Sequence, residues 1–301
     1  MDFDSFWSNL KLVNYYWIYF SIVISLLAYV TRAYRWNLML GSLGFRPSLY
    51  RSTLVIIISY LANVALPRAG EFLRSGLTKK TDDIPFNVSF GTVVAERVVD
   101  LISLLVLISF ALIFEFDILW SFLNNTLALD FRVLVIIIIA GIVIGLGTMI
   151  VTLRLLKKGH FPKLTAFFEG LKEGLISVAK VKKPYHFIVS SILLWAIYYM
   201  MSYTIIFSLE STAHLSMSAG LLLLVVGGIA ISLPVQAGFG TYHAMISGLL
   251  IIYSIEETTG LFLATLLHTS QIVAVTFFGL ISLVLIFIFN RKQNVDVKES
   301  S

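Results

Sequence analysis

Long runs without a formal charge constrain this chain more than any other feature. Leu12–Thr31 is charge-free over 20 residues, and Val133–Leu153 over 21. Pro184–Leu209 gives 26, with His186 near its start, and Thr258–Asn290 gives 33, interrupted only by His268. A helix needs about 20 apolar residues to cross the hydrocarbon core. Each run therefore predicts a transmembrane helix. A fifth span, about Asn87–Phe114, carries Glu96, Arg97 and Asp100 inside it. Composition agrees: 58% of residues are hydrophobic and 13% charged, about half the charge of a soluble domain. This excludes a soluble enzyme, a disordered chain and a nucleic-acid binder. No cysteine is present, which excludes disulfides and thiolate chemistry. The first run is too long, and its leading residues too acidic, for a signal peptide. No soluble domain is expected before or after the spans.

Loop charge sets the orientation, because Lys and Arg concentrate on the cytoplasmic side. Arg154–Lys183 holds eight Lys/Arg against two Glu, and Arg32–Arg51 holds four Arg and no acid. Glu115–Asp130 carries three acids and no base. Segments 32–51, 154–183 and the C-terminal tail are therefore placed inside, and 115–130, 210–217 and 254–258 outside. The apolar run Ser52–Leu66 then starts inside, as does the helix from Asn87, so the chain between them turns back near Pro67–Gly70. By the same reasoning the stretch from 218 turns back at Pro234–Gly240 and returns to the outer face. Two re-entrant hairpins are predicted, one from each side. Such non-helical backbone is tolerated at membrane depth inside protein or beside water.

The segments NVALPRAGEFLR (63–74) and AISLPVQAGFGTYH (230–243) share Leu-Pro, a short spacer, Ala-Gly and an aromatic. A polar patch follows each: AERVVD at 95–100, and His268 with Gln271 in the last span. The expected fold is an all-α polytopic membrane protein with about six full transmembrane-scale helices plus two hairpins. It forms one domain over 1–301, with an inverted repeat of helix, hairpin, long helix. Pseudo-repeats 12–114 and 184–289 are joined by a helix at 132–153 and the basic loop 154–183.

Charges within a span need a reason, since each costs roughly 2.5–3.5 kcal/mol at the bilayer centre on insertion scales. Arg97 and Asp100, at i,i+3, suit a structural ion pair, which leaves Glu96 without a local partner. His268 and Gln271 suit either helix–helix hydrogen bonding or a functional patch. After each hairpin turn a helix N-terminus points into the membrane, and such ends attract anions. Arg68, Gly70, Glu71 and Arg74 lie at the first tip. Gln236, Gly238, Gly240 and His243 lie at the second. With Glu96, Arg97, Asp100, His268 and Gln271 they form the candidate anion or substrate site. The plainer reading has the glycines serving packing and Arg68 and Arg74 snorkelling to the inner surface.

Arg32 and Arg35 read as positive-inside anchors at the lipid surface. Within 154–183, Pro162 opens an amphipathic helix with Leu164, Phe167, Phe168, Leu171, Leu175 and Val178 on one face, and Lys163 and Lys172 facing anionic headgroups. No nucleotide-binding loop, HExxH, GxSxG or DxD-like acidic pair occurs, so no cofactor or metal is expected.

The stretches NVALPRAGEFLR, AERVVD and LPVQAGFGTYH resemble the lysylphosphatidylglycerol synthase transmembrane-region family, also called flippase-like or UPF0104. The resemblance runs from about Val13 to Phe289. The family's second hairpin often reads PGGLGxxE; here His243 takes the Glu position and Gln236-Ala237 replaces Pro-Gly. His268 stands where the family often carries Arg. The resemblance implies lipid handling. In the best-known branch the resemblance implies a module that moves an aminoacylated lipid made by an attached soluble synthase domain; no such domain is expected here.

The expectation is an inner-membrane flippase or transporter, not an enzyme, with a cytoplasmic C-terminus. It would hold a phosphate-bearing lipid, either an aminoacylated phospholipid or a polyprenyl-phosphate-linked one, in a central pocket. Two alternatives stay open. One is an intramembrane headgroup transferase with Glu96 and His268 as acid and base. The other is a non-catalytic subunit that anchors a membrane synthase partner.

Overall fold

The structure, a computed structural model, describes residues 3–125, 162–232, 235 and 238–299. The expected helix at 132–153, Gln236, and the side chain of Lys163 lie outside the described residues. Eleven described helices follow in order: α1 (Phe3–Lys11), α2 (Tyr15–Ser42), α3 (Leu49–Ala65), α4 (Ala69–Asp82), α5 (Phe86–Phe114), α6 (Phe116–Asn125), α7 (Pro162–Ile176), α8 (Pro184–Ile206), α9 (Met217–Ser232), α10 (Thr241–Ile252) and α11 (Glu257–Glu299). Four of them, α2, α5, α8 and the 257–288 part of α11, are long and apolar enough to cross a membrane. The chain is a multi-pass, all-helical membrane protein.

The two breaks reverse the chain rather than kink it. Asn63 Oδ1 accepts the Gly70 N–H at 2.7 Å. A Cβ on Gly70 would lie 2.0 Å from the Ser59 carbonyl oxygen, so only glycine lets α4 fold back on α3 this closely. Arg68, at the turn, takes a left-handed backbone (φ 61°). The second turn places Gly238 and Gly240 at φ 76° and 81°, where glycine carries no Cβ penalty. At 14 and 12 residues, α4 and α10 extend only about 21 and 18 Å at 1.5 Å per residue.

Packing fixes the direction of each hairpin. α2 and α8 run antiparallel: the Asn14 N–H donates to the Ser208 carbonyl at 2.9 Å, and Ser21 Oγ donates to the Met201 carbonyl at 2.9 Å. Further along, Ala28 packs with Leu194 and Ile197, and Met39 with Phe187. The α3–α4 hairpin hangs between the end of α2 and the start of α5. The α9–α10 hairpin hangs between the end of α8 and the start of α11, at the opposite end of the α2/α8 pair. Helix α11 then crosses back antiparallel to α3, with Gly279 against Leu61 and Ile286 among Leu54, Val55 and Ile58.

The two halves cohere differently. Around α9, α10 and α11 lies a broad apolar cluster that includes Leu222, Val226, Ile246, Leu249, Phe262 and Leu263, all buried. Around α4 the corresponding space holds arginines and carboxylates. Helix α7 forms as the sequence predicts, and its contact with α5 includes Leu171 of the expected face, while Val178 just beyond it packs beside Met39 and Phe187. Gly174 lies against Gly91 at the start of α5, where an added Cβ would sit 2.5 Å from backbone atoms. Leu175 of the expected apolar face is exposed, as is Lys172.

Candidate functional site

Glu96 lies ten residues into α5, about 15 Å from its start. It is buried, and three arginines converge on it. Its Oε2 accepts from Arg74 Nη2 at 2.7 Å, its Oε1 pairs with Arg32 Nη1, and Arg35 Nη2 stands 3.5 Å away. One turn further, Asp100 accepts from Arg32 Nη2 at 2.8 Å and from Arg35 Nη2 at 2.6 Å. These contacts join α2, α4 and α5. They correct two sequence readings. Arg32 and Arg35 are not lipid-surface anchors but buried ion-pair partners, because α2 runs on to Ser42 and carries them inside. Arg97 does not pair with Asp100; its Nη2 donates to Glu71 Oε1 at 2.7 Å.

Aromatic rings frame the charges. The Arg74 guanidinium lies 3.8 Å from the centroid of Trp36, whose Nε1 donates to Thr92 Oγ1 at 2.8 Å. Arg32 Nε donates to the Tyr198 hydroxyl at 3.2 Å, and its guanidinium sits 5.8 Å from the Tyr60 ring centroid. Trp36, Tyr60, Thr92 and Tyr198 carry no charge and lie in ordinary apolar contexts, so the sequence reading missed them. The one available signal was Trp36 four residues after Arg32, on the same helical face.

The charge count does not close. Arg32, Arg35 and Arg74 face Glu96 and Asp100, which leaves one positive charge in excess. Arg35 is fully buried, yet among the described residues its Nε and Nη1 find no hydrogen-bond partner, and neither does Arg74 Nε. Desolvating charges is tolerated only when geometry and further hydrogen bonds compensate. The cluster therefore combines a surplus positive charge with unmade N–H bonds among the described residues.

A second constellation forms at the other tip. The His268 ring stacks on Tyr242 at 5.1 Å and meets His243 and Phe239 edge-on at 5.1 and 5.0 Å. Phe239 and Tyr242 belong to this group but were not anticipated, although they flank Gly240 and adjoin His243. Gln271 Nε2 donates to Ser21 Oγ at 3.4 Å. Ser21 precedes Arg32 by eleven residues, about 16 Å along α2, so Gln271 stands well away from the arginine cluster. Arg68 is exposed at the first tip, with no hydrogen bond or ion pair among the described residues. The arrangement thus gathers Arg32, Arg35, Arg74, Glu96 and Asp100 in one group, pairs Glu71 with Arg97 beside it, and keeps His243, His268 and Gln271 in another region.

The family model described as lysylphosphatidylglycerol synthase TM region matches residues 1–291. The chain belongs to that family. A UPF0104 membrane protein of Methanothermobacter thermautotrophicus is 26% identical over 184 residues, covering 58% of this chain and 50% of that one. The matched stretch thus spans half of that relative's length. No solved structure matches. Membership in the lysylphosphatidylglycerol synthase TM region family links this membrane protein to lipid handling. In this member the hairpin arginine Arg74 meets Glu96 of the AERVVD patch directly, so two of the stretches that carry the resemblance form one ionic group.

Proposed function

We propose that this protein moves a phosphate-bearing lipid headgroup across the plasma membrane without altering it chemically. The arginine-rich end of the bundle and the C-terminus face the cytoplasm, on the positive-inside pattern. The observation that carries the reading is the buried surplus cation, with unmade N–H bonds on Arg35 and Arg74. A phosphate oxygen satisfies such donors, and a singly charged phosphate neutralises the excess. Two hairpins that open to opposite ends of the α2/α8 pair offer a route for alternating exposure of the headgroup, with the lipid tails left in the bilayer. Candidate substrates are an aminoacylated phospholipid and a polyprenyl-phosphate-linked lipid.

Purified protein in proteoliposomes tests this with a headgroup-labelled aminoacylated phosphatidylglycerol, or a labelled polyprenyl-phosphate-linked lipid, and a membrane-impermeant quencher. Arg35→Gln is the informative variant. It leaves Arg32 and Arg74 balanced by Glu96 and Asp100, so the fold keeps its charge neutrality while the surplus is lost. Translocation should fall at least about tenfold, since hydrogen bonds to a charged group contribute roughly 1.5–3 kcal/mol. Wild-type rates in Arg35→Gln would refute the assignment of the cluster as the headgroup site.

A further inference from the structure

The buried cluster explains how a headgroup is held but not how it arrives, because Arg35 and Glu96 are sealed. One cation of the first hairpin is not sealed. The Arg97 side chain is 43% exposed although it lies eleven residues into α5, about 16 Å from the helix start. That stretch of α5 exceeds the length of an arginine side chain, so Arg97 does not reach the end of its own helix. Its partner Glu71 sits at the matching level of α4, eleven residues before Asp82. The pairing uses one carboxylate oxygen; Glu71 Oε2 is buried without a hydrogen-bond partner among the described residues.

The surroundings are apolar and open. Leu66 and Phe72 near the first turn, and Val98, Leu101 and Ile102 on α5, are all exposed. Arg68 adds a second exposed cation at the turn itself. Among the described residues nothing covers this face, so in a bilayer lipid lies against it. Hydrocarbon alone is a costly neighbour for an exposed guanidinium, whereas a headgroup phosphate is a favourable one. Arg68 and Arg97 against Glu71 again leave one positive charge to be matched.

We infer that the α4/α5 face around Arg97, Arg68 and Leu101 is a lateral portal. There an anionic phospholipid headgroup sinks to mid-depth from the surrounding bilayer while its tails lie along Phe72, Val98 and Leu101. The phosphate takes Arg97 from the single-contact pair with Glu71, and from there the route to Arg74 and Arg35 is short, since Glu71 and Arg74 share one turn of α4. The inference rests on the lipid-handling reading above and names the side from which the lipid comes.

The absence of native cysteine makes the test direct. Leu101→Cys and Phe277→Cys are reconstituted separately in vesicles containing a phospholipid with maleimide on an anionic headgroup. Phe277 is also exposed, on α11, near the level of Leu61 and thus at a comparable depth on another face. The portal predicts at least about tenfold more adduct at position 101 than at 277, a gain abolished by adding Arg97→Gln and absent with the same maleimide on an uncharged diglyceride. Equal adduct at both positions, or equal labelling by the uncharged probe at position 101, would overturn the portal. Normal headgroup translocation alongside either of those results would leave the transport reading standing and discard only this route.

Discussion

At Glu96 three guanidinium groups share one carboxylate, so its charge is the counter-ion on which the first hairpin depends. Glu96→Gln would leave Arg32, Arg35 and Arg74 facing Asp100 alone. Breaking a buried pair in this way costs roughly 3–5 kcal/mol, and the purified variant should show a clearly lower unfolding temperature in detergent. Pairing it with Arg74→Gln should recover part of the loss, as a double-mutant cycle resolves. An unchanged transition in Glu96→Gln would show that Glu96 does not neutralise the cluster. The importance of Glu96 was legible in the sequence, because a carboxylate inside an apolar run needs a reason. Its partners were not. Arg32 precedes it by 64 residues, and at the end of an uncharged run it reads as a positive-inside anchor. Only the continuation of α2 through Trp36 and Met39 to Ser42 turns that position inward. For Arg97 the i,i+3 spacing to Asp100 suggested a local pair, and tertiary packing against α4 overrode it.

Among the elements, the hairpins were the most readable, since Leu-Pro followed by Ala-Gly both interrupts a helix and permits a sharp return. Gly70 shows why: a side chain there would occupy the position of the Ser59 carbonyl. Helix α7 was half readable. Its amphipathic pattern marks a helix and includes Leu171 of the contact, but the close approach is set by Gly170 and Gly174, whose missing side chains let α7 approach the start of α5. Gly174→Ala should therefore separate the two helices. Inserting a methyl into so close a contact costs about 1–3 kcal/mol. Trypsin should then cut at Lys172 faster in the variant than in the wild type, as read by mass spectrometry of the early fragments. Identical cleavage rates would mean that α7 is held by other contacts.

On the scale of the whole molecule, the chain presents helix, hairpin and long helix twice, in opposite directions. This order follows from charge-free runs and loop charge, the two properties that a bilayer enforces most strictly. What the sequence does not disclose is the unequal character of the halves. One hairpin closes on an apolar cluster around Val226 and Leu263, the other on arginines and carboxylates. Alternating hydropathy registers the first, but ion pairs formed between distant segments leave no period to detect. The inverted arrangement places a surplus cation within the span of the bundle, and the proposed transport, substrate chemistry and lateral portal all depend on it. Single cysteines at Asp83 and Ser254, both exposed and each just beyond one hairpin, test it most directly with a membrane-impermeant maleimide on intact and permeabilised cells. Ser254→Cys should react in intact cells and Asp83→Cys only after permeabilisation. Reaction of both from the same side would contradict the entry of the hairpins from opposite faces.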